Sequence, residues 1–392
     1  HARPAASPRP LARCAAAGGV CDAGLARHPG HAELSVQKAM ALLALGRYAE
    51  GFELFQARWD IGEIEKPDYP EPDWDGSDPA GKRLLLLPEQ GNGDTLLMTR
   101  FLPMLKALGA HVTVAVKPGL ARLMEGIEGA DAVLVTGSAK PKLDAVVNMM
   151  DLPRHLGAHP DALPPSPALS VPEDSRRRAA ALTAPFEDVF RIGVVWSGSV
   201  TYKANFKRSM EVSRLLPLAE RPDVQLFSLY KGPLLEEFRD GPLSAGLIID
   251  AAGDDRDFAD AAALLERMDL VVGTDTGVMH LAAVLGRPVW NLLAYAPYWL
   301  YELARETTPW HPTMRLFRQP SPGDWDTPMA EVGAALDEIL ARRAASARCA
   351  WARPGLPPPR RPARVPPPDT APRRHPPPHP KPARRPVPTW GA

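Results

Sequence analysis

Two periods of apolar residues divide this chain. From His31 to Ile61 they recur at helical spacing, with Ala39, Leu42, Leu43 and Leu45 at the Leu45-Gly46-Arg47 break and Phe52, Leu54, Phe55 and Trp59 beyond it. That spacing predicts two antiparallel amphipathic helices. From Arg83 onward short apolar runs take over. Arg83–Leu87, His111–Val116, Ala132–Val135 and Ala145–Asn148 read as buried strands, with helices ending at Leu108 and Gly126 between them. A Pro-, Ala- and Arg-rich crossing, Pro153 to Pro185, interrupts the alternation. It resumes with strands Arg191–Trp196, Val224–Tyr230, Leu247–Asp250 and Asp269–Gly273, helices Val212–Leu218 and Phe258–Met268, and a closing helix Pro328–Arg343. The order predicts two doubly wound α/β domains. The expected organisation is a poorly ordered 1–30, a helical hairpin 31–62, a first α/β domain 81–157, a linker 158–189, a second α/β domain 190–345 and a disordered tail 346–392.

Met268 to Leu293 carries the sharpest chemical signal. A buried strand runs into Gly273-Thr274-Asp275-Thr276-Gly277, then a helix Val278–Leu285, a stop at Gly286 and a return strand opened by Pro288. Such a turn lies at the carboxyl end of a parallel strand, where open α/β sheets bind ligands. Free backbone N–H groups at the helix start favour an anion, most naturally a phosphate. His280, one turn into the helix, is placed to reach it. Read without a ligand, the same residues are a capped helix.

The first domain has its own polar turn, Pro88-Glu89-Gln90-Gly91-Asn92-Gly93-Asp94-Thr95. It holds Gly91-x-Gly93, but Leu96 stands where a dinucleotide fingerprint needs a third glycine, and Glu89 and Asp94 would face any phosphate. That departure argues against a nicotinamide or flavin site. After the strand at Trp196, the loop Ser197–Ser209 carries Lys203, Lys207 and Arg208, a cationic clamp suited to a diphosphate or else a solvated basic loop. Tyr295, Tyr298, Trp299, Trp310 and Phe317 thicken the region after the return strand, as core or as stacking surfaces.

Net charge is zero, but Arg348 to Ala392 holds 10 Lys/Arg against one acid while the first 347 residues hold 36 against 45. The mildly acidic folded part gives no footprint for nucleic acid. The tail has 16 prolines in its 45 residues, a composition that predicts disorder or polyproline structure. Cys14, Cys21 and Cys349 form neither a disulfide framework nor a zinc site, which predicts a reducing, cytoplasmic compartment. No run of 18 apolar residues is present, so no transmembrane helix is expected. The start at His1 suggests that preceding sequence is missing.

Several of these motifs together resemble one family. Glu89-Gln90-Gly91-Asn92-Gly93-Asp94-Thr95 resembles the EQGxGD signature of bacterial tetratricopeptide-linked glycosyltransferases, relatives of the lipopolysaccharide heptosyltransferases of glycosyltransferase family 9. Val195-Trp196-Ser197-Gly198, Phe227-Ser228-Leu229 with Lys231-Gly232, and Asp275-Thr276-Gly277-Val278-Met279-His280-Leu281-Ala282 are similar to that family's second domain, as are Pro297-x-Trp299, Thr308-Pro309-Trp310 and Gly323-Asp324-Trp325. The LGRY turn of the helical hairpin resembles one tetratricopeptide repeat, which would offer a protein partner a docking face. The resemblance implies a GT-B architecture and transfer of a sugar from a nucleotide-diphosphate donor to a glycan or protein acceptor, without metal or other cofactor and with inversion. It implies Asp94 as general base, with the alternative that Asp94 only caps its helix. Glu89, Gln90, Gly91, Gly93 and Thr95 would form the acceptor-side loop. Lys207 or Arg208, with Lys203 as a rival, would steady the leaving diphosphate. Trp196, Ser197, Gly198, Lys231, Asp275, Thr276, Gly277 and His280 would hold the donor. Two other readings stay open, a non-catalytic scaffold that binds a nucleotide sugar or nothing, and a nucleotide-sugar epimerase of the same architecture.

Overall fold

In the computed structural model, residues 8–351 are described, apart from positions 63, 201, 242–246 and 304. Three helices come first, α1 (Pro8–Arg27), α2 (Ala32–Ala44) and α3 (Tyr48–Leu54), followed by a 3-10 turn Phe55–Asp60. The break between α2 and α3 falls where the pattern placed it, and Gly46 turns it at φ +78, a region that favours glycine. Helix α1 is a departure from expectation, because its Ala- and Gly-rich sequence carries no usable period.

The first sheet is parallel and four-stranded, in the order β3-β2-β1-β4, from β1 (Arg83–Leu87), β2 (His111–Val116), β3 (Ala132–Val135) and β4 (Ala145–Asn148). Leu84 lies opposite Val112 on one side and Ala145 on the other, so β1 is central. Helix α4 (Asn92–Met98) leaves its carboxyl end. The crossing between domains contains a helix of its own, α5 (Glu173–Thr183), where an irregular linker was expected.

The second sheet has the order β10-β11-β9-β8-β5-β6-β7. Its strands are β5 (Phe190–Val195), β6 (Val224–Ser228), β7 (Ile248–Asp250), β8 (Leu270–Thr274), β9 (Val289–Leu293), β10 (Thr307–Thr308) and β11 (His311–Arg318). Every residue of β8 and β9 is buried, as continuous apolar runs in a covered parallel sheet should be. Strands β10 and β11 correct the reading of 295–317 as aromatic thickening alone. Pro312 near the start of β11, with Arg315 and Arg318 further on, breaks the apolar run and hid the strand. Helices of this domain include α6 (Asn205–Arg208), α7 (Phe258–Arg267), α8 (Gly277–Val284) and α9 (Asp326–Trp351). Helix α9 continues past Arg343; the rest of the Pro/Arg-rich tail lies outside the described residues.

The amino-terminal helices use their apolar face within this chain. Tyr48 and Phe52 pack against Trp299 and Trp310, ring centroids 5.3–6.5 Å apart, edge-on except for the tilted Tyr48–Trp310 pair. The Tyr48 hydroxyl accepts from Trp310 Nε1 at 2.7 Å and donates to Glu302 Oε1 at 3.0 Å. At the other end, Arg58 forks onto Glu89, both bonds 2.8 Å, and reaches Asp151 Oδ1 at 2.7 Å. The segment therefore grips both α/β domains, and Tyr48, Phe52 and Phe55 are not available to a partner.

Candidate functional site

The two polar turns singled out in the sequence meet. A side chain on Gly93 would stand 2.8 Å from His280 Cδ2 and 3.2 Å from the Gly277 Cα, so the approach of α4 to α8 requires glycine there. Gln90, just before, is held at φ 58, and its side-chain oxygen accepts from the Tyr298 hydroxyl at 3.3 Å. Backbone strain of this kind collects at functional turns. Asn92 Oδ1, Thr274 Oγ1 and Thr276 Oγ1, spread over the two turns, are buried without a hydrogen-bond partner. Orphaned polar atoms on facing turns point to a polar ligand between them.

Asp94 is the third residue of α4, and its Oδ2 accepts from the Gly91 N–H at 2.8 Å. The carboxylate thus caps its helix through Oδ2. Burial raises its pKa above the usual carboxylate range, with the neighbouring His280 pulling the other way. Asp275, after β8, ends below that range. Burial pushes it up, but His280, the Tyr301 hydroxyl bonded to its Oδ1 at 2.5 Å and Arg208 together outweigh the burial. His280 Nε2 lies 3.6 Å from Asp275 Oδ1, and its Nδ1 lies 2.9 Å from His311 Nε2.

Of the three loop cations, Arg208 points inward. Its guanidinium lies 2.7 Å from where a Gly198 side chain would begin, stacks over Tyr202 at 4.7 Å and bonds Asn205 Oδ1 at 3.1 Å. Ser197 joins the same loop through Asn205 Nδ2 at 3.1 Å and Ser209 Oγ at 2.9 Å. Lys203 and Lys207 are exposed, Lys207 above the Phe206 ring. Other expected contact residues are engaged with neighbours in the protein. The Trp196 indole stacks under Tyr230 and Phe238, because its strand buries that face. Lys231 donates to the Asp255 carbonyl. Glu89 is buried against Arg58, and Thr95 is buried with its hydroxyl on the Gly91 carbonyl at 3.4 Å. Pattern reading missed His311 and Tyr301. Both border the quoted motifs Pro297-x-Trp299 and Thr308-Pro309-Trp310, a proximity that could have drawn attention to them. Among the described residues, no group of three or more His, Cys, Asp or Glu is placed to hold a metal ion.

Asp255 differs from these groups. It is 5% exposed and neither oxygen has a hydrogen-bond partner; burial, then Asp260, raises its pKa to about 7. The folded state then keeps a proton that the unfolded state has already lost, so this group's effect on stability becomes unfavourable as pH rises from about 4 through about 7. Asp255→Asn should unfold at higher denaturant concentration than the parent at pH 8, by about 1–2 kcal/mol once screening is allowed for, and match it near pH 4. Urea titrations at the two pH values check this.

Two α/β domains thus face each other through turns at the carboxyl ends of strands, the position where open α/β sheets bind ligands. Residues 255–320, which include β8, α8 and β11, match glycosyltransferase family 9 (heptosyltransferase), so the chain carries a family 9 region across the turn built around Asp275 and His280. Protein FlbA of Caulobacter vibrioides is 29% identical over 354 residues, covering 82% of this chain and 58% of that protein. The chain thus spans less than two thirds of that relative. The crystal structure of a family 9 glycosyl transferase from Veillonella parvula superposes with TM-score 0.50 at 16% identity, over 66% of this chain and 90% of that one. Escherichia coli ADP-heptose lipopolysaccharide heptosyltransferase II gives TM-score 0.50 at 14% identity, over 67% and 99%. These likenesses establish the fold, and the resemblance to glycosyltransferase family 9 stands; the tetratricopeptide link rests on the hairpin turn alone.

Proposed function

We propose that the chain is a glycosyltransferase that moves a sugar from a nucleotide-diphosphate donor to a hydroxyl of a glycan or protein, with inversion. The observation that carries this reading is the meeting of the Asp94 turn with the Thr276–Gly277 helix start, each on its own α/β domain. A diphosphate at the start of α8 would take the backbone N–H groups and the orphaned Thr276 hydroxyl, with Arg208 beside it. Asp94 Oδ1 would receive the acceptor proton as the acceptor oxygen attacks the anomeric carbon. The bond from that carbon to the diphosphate oxygen breaks on the opposite face, and its electron pair leaves with the phosphate. Charge grows on the leaving group, so Arg208 and the helix end stabilise the transition state more than the bound donor. Burial makes Asp94 a stronger base than an exposed carboxylate.

Family 9 similarity over 255–320 supports the donor half of the reading. The named activity of the Escherichia coli structure makes a nucleotide-diphosphate heptose or hexose the first donor class to try. A cytoplasmic location belongs to the same reading; Cys14 and Cys21 are free thiols, and no helix among the described residues is long and apolar enough to cross a membrane. The test is calorimetric binding of ADP, GDP, UDP and CMP to the full chain and to Arg208→Met. One nucleotide should bind in the micromolar range, and the substitution should weaken it tenfold or more, ~1.4 kcal/mol. No binding by any of the four to folded protein would leave the scaffold reading in its place.

A further inference from the structure

We propose that His311 is a positioning residue, whose Nε2–H donates to His280 Nδ1 and so fixes His280 with its own hydrogen on Nε2, toward Asp275. The inference comes from counting hydrogens. The two ring nitrogens lie 2.9 Å apart with the rings tilted, centroids 5.1 Å apart, and the residues are 7% and 1% exposed. One hydrogen must lie between them. On the far side of His280, Nε2 faces Asp275 Oδ1 at 3.6 Å, and the same oxygen already accepts from the Tyr301 hydroxyl. Asp275 is held ionised, so the nitrogen facing it carries a hydrogen. In the neutral ring of His280 that hydrogen is the only one, which leaves Nδ1 as an acceptor and makes His311 the donor.

The two rings differ in their surroundings. Burial pushes His311 well below the usual histidine range, and His280 and the nearby Arg100 push the same way, so it stays neutral. Arg100 is anchored beside it by a bond from Nη2 to the Trp310 carbonyl at 2.5 Å. His280, by contrast, faces carboxylates, Asp275 on its own turn and Asp94 across the domain contact. A ring so fixed presents Nε2–H at the helix start and its carbon edge to Gly93. The catalytic consequence rests on the proposed reading of Thr276–Gly277 as the diphosphate seat; the tautomer does not.

The experiment is nitrogen-15 NMR of the ring nitrogens in the full chain, for the parent, His311→Gln and His311→Phe, alongside transfer kinetics. Gln can return an N–H donor near the position of His311 Nε2, whereas Phe fills the space without one. The parent should show His280 as the Nε2–H tautomer, His311→Gln should retain it, and His311→Phe should give a tautomer mixture. Turnover should fall about tenfold or more in His311→Phe, with donor KM little changed, and recover to within about threefold in His311→Gln. His280 protonated on Nδ1 in the folded parent overturns the proposal, and so does a His280 tautomer indifferent to both substitutions. Should His311→Phe fail to fold, the parent and His311→Gln spectra decide. The expected tautomer in a chain that binds no nucleotide upholds the proposal and removes the glycosyltransferase reading instead.

Discussion

Asp94→Asn should lower sugar transfer by roughly two to four orders of magnitude, the usual worth of a positioned general base, with donor affinity and fold intact. Asn is the informative replacement because the carboxylate also serves the helix. Its Oδ2 accepts the Gly91 N–H, and the Asn side-chain oxygen preserves that bond while removing basicity. Asp94→Ala loses both, and should add a stability loss of about 1 kcal/mol. The pH profile supplies a second check. Activity needs the ionised carboxylate, and burial raises its pKa, so the parent's acid limb should lie above the usual carboxylate range. Turnover, nucleotide calorimetry and urea unfolding of both variants measure the three quantities separately. Unchanged turnover in Asp94→Asn would reduce Asp94 to its capping bond.

Arg58→Ala should be the most destabilising single change outside the two sheets. Arg58 is 3% exposed, forks onto Glu89 and also binds Asp151. Deleting the guanidinium leaves two carboxylates facing each other in a buried space, and breaking such a pair from one side costs about 3–5 kcal/mol. A double replacement, Arg58→Met with Glu89→Leu, removes the stranded charge at Glu89 and should recover part of the loss. Urea denaturation of the parent, the single and the double variant tests this, with loss of solubility as the extreme result for Arg58→Ala. A single variant within 1 kcal/mol of the parent would show that water reaches the site.

These two residues also mark how far the sequence could be read. Asp94 drew attention through the resemblance of its contiguous turn, Glu89 to Thr95, to a family signature. Strand β1 was visible in the sequence itself, since four leucines in a row, Leu84 to Leu87, closed by Pro88 fit a short buried strand. Arg58 carried no signal, for its partners Glu89 and Asp151 lie 31 and 93 residues away. The His280–His311 contact spans 31 residues between a helix and a strand whose start was hidden by Pro312. Choosing among Lys203, Lys207 and Arg208 required the path of the loop, because identical charges a few residues apart differ only in direction.

The helical segment that grips both domains has a kinetic consequence. Separating α4 from α8, to admit a donor or release a spent nucleotide, either carries the segment with the first domain or with the second. The first course strips Tyr48 from Trp310 and Glu302, and the second pulls Arg58 from Glu89 and Asp151. A motion uphill by about 3 kcal/mol leaves the open form at under about one molecule in a hundred. On the proposed reading, loosening the Tyr48 contact should raise the open population and ease donor entry and nucleotide release.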